Sequence, residues 1–265
     1  MIRPARGAVQ QDQRDGVVRA SMVQSGERGG VTVIKAVLLD LFGTVVAYGN
    51  TEASTGDAWG AIHAALRSLG SEPPYEAFAA DWQSQFVTPL RPEEDIGDTP
   101  FLSKVLRLFR SYGLPEDREV ARHAVLDCLA GWDRHLVLPA DAQPTLRALH
   151  ERHAVALVSN FDHPPYVRSL LERFDLARHF DAVVISGEVR IDKPDPRIFR
   201  RALDAVGCAP AEAFAVGDSL DADIAGAEAV GCRAVLIDML GRHADYPGER
   251  VTSLSELVEL VDSAR

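Results

Sequence analysis

The sequence predicts an α/β protein: a doubly wound, mostly parallel sheet with an α-helical block inserted after the first strand. Three observations predict it. A β-branched apolar run, VTVIKAVLLD (31–40), ends at an acid and reads as a strand buried on both faces. Residues 46–134 carry helical spacing and no strand pattern. Beyond Leu138 the patterns alternate strand, helix, strand, helix, which is how a parallel sheet covered on both faces is encoded. The first strand is too apolar to stand alone and must join the later sheet. Residues 1–31 therefore read as a tail, 32–45 and 135–265 as the core, and 46–134 as the insertion.

The tail mixes Arg, Gln, Gly and Asp with little periodicity, and a start of translation at Met22 would remove most of it. It has no apolar h-region, so it is not a secretory signal, and Asp12, Asp15 and Glu27 oppose a transit-peptide reading of its arginines. In the insertion, Trp59, Ile62, Leu66 and Leu69 line one helix before Gly70. Phe101, Leu102, Val105, Leu106, Leu108 and Phe109 line a second, stopped by Gly113 and Pro115, and Glu119–Leu129 form a third. RPEEDIGDTP (91–100) is a turn-rich loop. Further on, strands are expected at Ala154–Ser159, Ala182–Ser186, Ala213–Asp218 and Ala234–Asp238. Helices are expected at Asp141–Glu151, Tyr166–Phe174, Pro196–Val206, Asp221–Val230 and Ser253–Ala264.

Composition narrows the function. With 265 residues the chain can bury a core without disulfides or a structural metal. Its 46% apolar and 25% charged residues exclude collagen-like, wholly disordered and disulfide-scaffold classes. A net charge of −11 repels phosphate backbones and argues against nucleic acid as a partner, while leaving room for a small anionic substrate in a locally positive pocket. Cys128, Cys208 and Cys232 are far apart and form no CxxC, so they read as small buried hydrophobes in a reducing compartment. No apolar run approaches the ~18 residues that span a bilayer. A cytoplasmic monomer or homodimer acting on a small molecule is the expectation.

In an open parallel sheet, ligands bind outside the carboxyl ends of the strands. Those ends carry Asp40 in DLFGT, Ser159 in VSN, Lys193 in DKPDP, and Asp218 and Asp223 in GDSLDAD. A carboxylate, a hydroxyl, an ammonium and two further carboxylates at one edge form a catalytic inventory. Lys193 is set apart by composition too. The chain has 25 Arg and three Lys, so an indifferent cation should be Arg, and a compact ammonium is a different tool from a planar fork. Singly, each residue has a plainer reading: Asp40 as a turn former, Ser159 as a helix cap, Asp218 and Asp221 as caps of the next helix. Asp221 is left to capping or solvent, and Asp195 is expected to cap the helix opened by Pro196. His150 and His153 flank a helix end and read as surface residues. Trp59, Trp82 and Trp132 read as core of the insertion.

These motifs, in this order and each after an apolar run, resemble those of the haloacid dehalogenase superfamily: Asp40-Leu41-Phe42-Gly43-Thr44, Ser159-Asn160, Lys193-Pro194-Asp195-Pro196, and Gly217-Asp218-Ser219 followed by Asp223. The resemblance runs from about Ile34 to Leu240 and implies a Rossmann-like core with an inserted helical cap of the first type. It further implies that Asp40 is the nucleophile and that Thr44 and Ser159 donate hydrogen bonds, Ser159 to a phosphate oxygen. Gly43 and Asn160 would help to bind substrate. Lys193 would neutralise charge. Asp40, Asp218, Asp223 and the Phe42 carbonyl would hold Mg²⁺. The expected activity is Mg²⁺-dependent hydrolysis of a small phosphorylated metabolite through an aspartyl phosphate.

One position departs from the pattern. Phosphatases that this chain resembles carry a second Asp two residues after the nucleophile, where Phe42 stands. Acid–base help of that kind is worth about 10²–10⁴-fold. A substrate with a good leaving group, a substitute such as Asp162 or His163, or metal-independent 2-haloacid dehalogenation would each accommodate Phe42. The intact GDS with Asp223 argues against dehalogenation. Intact Asp40, Lys193, Asp218 and Asp223 argue against a non-catalytic member that only binds a phosphorylated ligand.

Overall fold

The structure is a computed structural model that describes residues 33–96 and 98–264; the expected tail lies outside the described residues. Six parallel strands form one sheet in the order β5-β4-β1-β6-β7-β8. They are β1 (Ala36–Leu39), β4 (Ala154–Ser159), β5 (Ala182–Ile185), β6 (Ala213–Gly217), β7 (Arg233–Ile237) and β8 (Glu249–Val251). The apolar first run thus lies centrally, Leu39 in register with Leu157 on one side and Val216 on the other. Its alternate residues serve two cores. Val37 and Leu39 join the cluster holding Leu146 of α5 (Ala142–His150) and Val261 of α10 (Leu254–Ser263). Ala36 and Leu38 join the cluster holding Ile198 and Phe199 of α8 (Pro196–Val206). A strand buried on both faces has no polar alternation, which is why it was legible as a continuous apolar run.

Between β1 and α5 lie four α-helices: α1 (Thr51–Ser68), α2 (Tyr75–Val87), α3 (Pro100–Ser111) and α4 (Arg118–Asp133). Asn50, Thr99 and Asp117 cap α1, α3 and α4 by accepting from backbone N–H groups of the first turn. Gly70 and Gly113, at φ +94° and +67°, turn the chain out of α1 and α3. Helix α2 was not expected. It offers only Phe78 and Trp82 as large, fully buried side chains, too few to set a period by themselves. Nor was a strand expected in 46–134. Ala47–Tyr48 (β2) pairs antiparallel with Leu136–Val137 (β3), tying the entry of the helical block to its exit. A two-residue ribbon is too short to show alternation.

Other differences are local. The strand β8 and the one-turn helix α7 (Ser186–Val189) were unread. Helix α6 (Pro164–Arg173) begins two residues earlier than expected. The expected Asp221–Val230 helix opens as a π-helical turn, Leu220–Ile224, before α9 (Ala225–Val230). Ser219, rather than Asp218 or Asp221, is its cap. His153 is buried at 7% exposure, its Nδ1 3.2 Å from the Ile34 carbonyl just before β1, correcting its surface assignment. Cys128 and Cys232 are buried, Cys208 only partly. Trp82 lies inside the helical block as expected. Trp132 instead sits at its junction with the core, stacked on Phe161 at 5.4 Å. Among the described residues no helix is long and apolar enough to cross a membrane.

Candidate active site

Sheet order reverses at β1: the chain runs outward through β4 and β5, then returns to β6 on the other side. The crevice at such a point is where an α/β sheet holds its ligand. Asp40 leaves β1 there, its backbone N–H donating to the Val216 carbonyl at 2.9 Å. The following loop closes on itself, with Gly43 N–H donating to Val46 and Val46 N–H to Leu41. Gly43 has φ +89°, and a Cβ on it would lie 2.2 Å from Asp218 Oδ2. Only glycine lets this loop come against that carboxylate. Gly217 does the same for Asp223, whose Cγ would be 2.2 Å from an added Cβ.

Lys193 reaches the crevice from the loop after α7. Its Nζ donates to Asp40 Oδ1 and to Asp223 Oδ1, each at 2.6 Å, and the residue is 2% exposed. Asn160, at the end of β4, fixes that loop. Its Oδ1 accepts from Lys193 N–H at 2.8 Å, and its Nδ2 donates to the Lys193 carbonyl at 3.0 Å. The carboxamide expected to meet substrate is thus engaged with the backbone of the lysine. Asp195 caps α8 as expected, accepting from Arg197 N–H. Asp223 Oδ2 accepts from Ser219 N–H at 3.0 Å.

Three carboxylates here face one ammonium. Burial raises the Asp40 pKa to about 6, Asp223 pushing the same way against the pull of Lys193. Burial raises Asp218 to about 7, helped by Asp40 and Asp223. For Lys193 burial acts against the charge, but Asp223 and Asp40 outweigh it and hold the ammonium protonated above its ordinary range. Tyr48, which sequence reasoning missed, is half-buried within electrostatic reach of the trio. Burial, then Asp218, Asp40 and Asp223, keep its phenol neutral far above the usual range. No sequence signal marked it, because a tyrosine in a two-residue ribbon has no pattern.

The donor set suits a divalent cation. One oxygen from each of Asp40, Asp218 and Asp223 lies within 4.8 Å of the others, and all are hard oxygen ligands in excess negative charge. Beside them, Thr44 Oγ1 and Ser159 Oγ are buried with no hydrogen-bond partner among the described residues. An unpaired buried hydroxyl costs about 1–3 kcal/mol, a cost that a ligand oxygen would remove. The void against Asp40, Lys193 and Asp223 is only ≈10 Å³, room for one water at most, and its lining comes from β1, β4, β6, α8 and the loops beside them. A larger groove of ≈480 Å³ at Asp141 and Ser255 is lined by none of these acids.

Phe42 is a structural keystone. Its ring lies 4.7 Å from Trp132 of α4 and 5.0 Å from Phe161 after β4, joining the loop after β1, the helical block and the core. Asp162 and His163, the sequence-stated substitutes for a missing acid, face α3 instead. Asp162 pairs with Lys104 at 2.6 Å, and His163 Nδ1 lies 3.2 Å from Thr99 Oγ1.

The switch point of the parallel sheet thus holds three acids, two of them joined by one lysine. The family model for haloacid dehalogenase-like hydrolases matches residues 34–231, and the chain belongs to that family. It is 38% identical over 205 residues, 74% of each chain, to a phosphoserine phosphatase of Thermus thermophilus. It is 33% identical over 135 residues to mouse N-acylneuraminate-9-phosphatase, spanning about half of that protein (54%). Among solved structures it resembles a HAD phosphatase from Thermococcus onnurineus, with a TM-score of 0.63, 28% identity and coverage of 86% of this chain and 98% of that one. A 2-haloacid dehalogenase from Pseudomonas syringae shares the fold, with a TM-score of 0.67 at 21% identity over 88% and 100% of the two chains.

Proposed function

We propose that this hydrolase cleaves small phosphomonoesters in a Mg²⁺-dependent reaction through an Asp40 phosphoenzyme. The observation that carries this reading is the pair of buried, unpartnered hydroxyls, Thr44 Oγ1 in the loop after Asp40 and Ser159 Oγ at the end of β4, together with an acid trio in which Lys193 joins Asp40 to Asp223. A phosphoryl group offers acceptor oxygens for both hydroxyls and for the ammonium. Asp40, the Phe42 carbonyl, Asp218 and Asp223 would hold the cation, which when bound offsets the charge of the phosphoryl group and the acids.

Asp40 Oδ1 is tied to Lys193, leaving Oδ2 to form the bond to phosphorus as the bond to the leaving oxygen breaks. Thr44 and Ser159 hydroxyls donate to the equatorial oxygens, and the Lys193 ammonium steadies the charge shared with Asp40. The leaving oxygen takes its proton from solvent water; a second water then attacks phosphorus as the bond to Asp40 breaks, its surplus proton passes to solvent, and Asp40 and inorganic phosphate are released. Position 42 furnishes no proton for the leaving oxygen, and Asp162 and His163 are held by α3. The helical block acts as a cap that excludes water while closed. The dehalogenase reading is not favoured, since an acid trio is needless for a halide that leaves without a proton.

Two measurements test this. Phosphate release from an ester panel should require Mg²⁺ and stop with EDTA; turnover that survives chelation, with halide release from 2-haloacids, would reverse the assignment. Asp40→Asn should lower kcat by at least about 10⁴-fold while inorganic phosphate still binds by calorimetry. Normal activity in that variant would remove Asp40 as nucleophile.

A further inference from the structure

Tyr48 lies in β2, where the helical block joins the core, and the chain brings it back toward Asp40. Gly43 N–H donates to the Val46 carbonyl and Val46 N–H to the Leu41 carbonyl, so the loop after Asp40 doubles back on itself. Tyr48 is two residues beyond that closure, about 7 Å of extended chain from it. Its backbone is fixed from the other side, by pairing with Leu136 and by Gly49 N–H donating to the His135 carbonyl at 2.8 Å. Its ring lies 6.5 Å from Trp132, and Trp132 lies 4.7 Å from Phe42. Tyr48 therefore shares an aromatic neighbour with the position that lacks an acid.

The polar end of this residue is unused. The charged groups that act on the phenol are Asp218, Asp40 and Asp223, so its oxygen lies toward the trio. Yet among the described residues the hydroxyl makes no hydrogen bond, to these carboxylates or to any other group. Surrounded by acids, it stays protonated and has a hydrogen to offer. The proposed reaction has a matching deficit. As the leaving oxygen parts from phosphorus it gains negative charge, and the carboxylates around it repel that charge. Phe42 cannot donate to it, while Asp162 is paired with Lys104 and His163 lies against Thr99. A fixed donor aimed at charge that develops only in the transition state lowers the barrier.

We propose that Tyr48 donates a hydrogen bond from its phenol to the leaving oxygen of the substrate, filling the place of the acid absent at position 42. As the bond between phosphorus and the leaving oxygen breaks, its electron pair stays on that oxygen. The Tyr48 O–H holds the developing charge until a proton from solvent water completes the alcohol, and Tyr48 keeps its own proton throughout. The contribution of Tyr48 therefore grows with the basicity of the leaving oxygen: large for alkyl esters, small for a nitrophenyl ester. This inference rests on the phosphomonoesterase reading above, and the test separates the two.

The panel is p-nitrophenyl phosphate, phenyl phosphate, glycerol 2-phosphate and ethyl phosphate, assayed with the full chain and Mg²⁺. The measured quantity is kcat/KM, which covers the steps through departure of the leaving group. Tyr48→Phe keeps the ring against Trp132 and removes only the hydroxyl. It should lower kcat/KM by about 10²-fold on the two alkyl esters and by no more than about threefold on p-nitrophenyl phosphate. The dependence of log kcat/KM on the leaving-group pKa should steepen accordingly. Since the phenol has no partner to lose in the resting protein, the melting temperature should stay within about 2 °C of wild type. Replacing Tyr48 by 3-fluorotyrosine keeps ring and hydroxyl and makes the phenol a stronger donor. It should raise the alkyl rates relative to p-nitrophenyl phosphate, and this ratio decides the matter if Tyr48→Phe fails to fold. An equal loss on every ester, no loss on any, or a ratio unmoved by 3-fluorotyrosine would overturn the role of Tyr48 while phosphatase activity stands. Wild-type protein that releases phosphate from no ester would overturn the phosphomonoesterase reading, and this inference with it.

Discussion

Two buried clusters of charge in this protein are built on opposite ratios. In the helical block, Glu94 is 5% exposed and meets three cations: Arg91 at 2.9 Å, Arg107 at 3.4 Å and Arg110 at 3.6 Å. Hydrogen bonds from Arg91, side chain and backbone, hold its carboxyl down at about 2 despite burial. At the sheet edge the ratio inverts, with Asp40, Asp218 and Asp223 clustered around Lys193, which pairs directly with Asp40 and Asp223. There the pKa values move up, to about 6 and about 7 for Asp40 and Asp218. The first cluster satisfies itself and fastens the 91–94 turn to α3. The second is left short of positive charge and asks for a partner from outside. Local consistency broken at one place is what a functional site costs a fold.

Neutralising one acid in each cluster should therefore have opposite consequences. Asp218→Asn should lower kcat by about 10²-fold or more. It should also raise the metal-free melting temperature by about 2–4 °C, as for relief of ~1 kcal/mol in a chain of this size. Glu94→Gln should leave kcat/KM within about twofold and lower the melting temperature by several degrees, because the buried Arg107 loses its charged partner and the Arg91 contacts that hold the 91–94 turn are weakened. Scanning calorimetry and steady-state assays check both. A melting temperature that falls in Asp218→Asn would show that the trio is satisfied without a cation.

The pH dependence should separate the clusters as well. Asp40 and Asp218 have folded pKa values above the unfolded carboxyl range, so between about pH 4 and 7 the folded state binds more protons than the unfolded one. Stability of the metal-free protein should fall as pH rises through that window, and Mg²⁺ should restore it most at the upper end. Glu94 is depressed, so the unfolded state binds the proton first and its contribution is lost as pH drops from about 4.5 toward 2. Denaturant midpoints across pH, with and without Mg²⁺, measure the two slopes. A metal-free midpoint that climbs from pH 4 to 7 would contradict the account of the trio.

The difference between the clusters also explains what the sequence disclosed. Asp40, Ser159, Lys193, Asp218 and Asp223 could be found because each follows an apolar strand, and in a parallel sheet strand ends converge whatever lies between them. The sheet supplies the long-range information. Lys104 and Asp162 follow no such rule. They are 58 residues apart, one on a helix and one on a loop, and meet only because α3 docks on the chain after β4. The Glu94 hub is hidden for the same reason. Tyr48, helix α2 and the β2–β3 ribbon fail differently: each is too short or too sparsely apolar to set a period. Phe42 was legible as an absence of acid, but its packing against Trp132 and Phe161 was not.

The smallest expected effect bears on how the functional cluster is held in place. Sequence reasoning assigned Asn160 to substrate, whereas its carboxamide makes both hydrogen bonds to the Lys193 backbone. If it acts through the lysine, Asn160→Ala should lower kcat about tenfold, the loss of about one well-made polar contact, and leave KM unchanged. In a Lys193→Met background, followed by single-turnover kinetics with enzyme in excess, the same substitution should cost almost nothing, because residues that act as one unit are not additive. An equal cost in both backgrounds, or a raised KM with kcat intact, would return Asn160 to direct contact with substrate. The cycle also bears on the comparison of clusters. Glu94 is held by three partners that tolerate small shifts, whereas one ammonium 2.6 Å from two carboxylates has no spare geometry, so its backbone must be fixed by a neighbour.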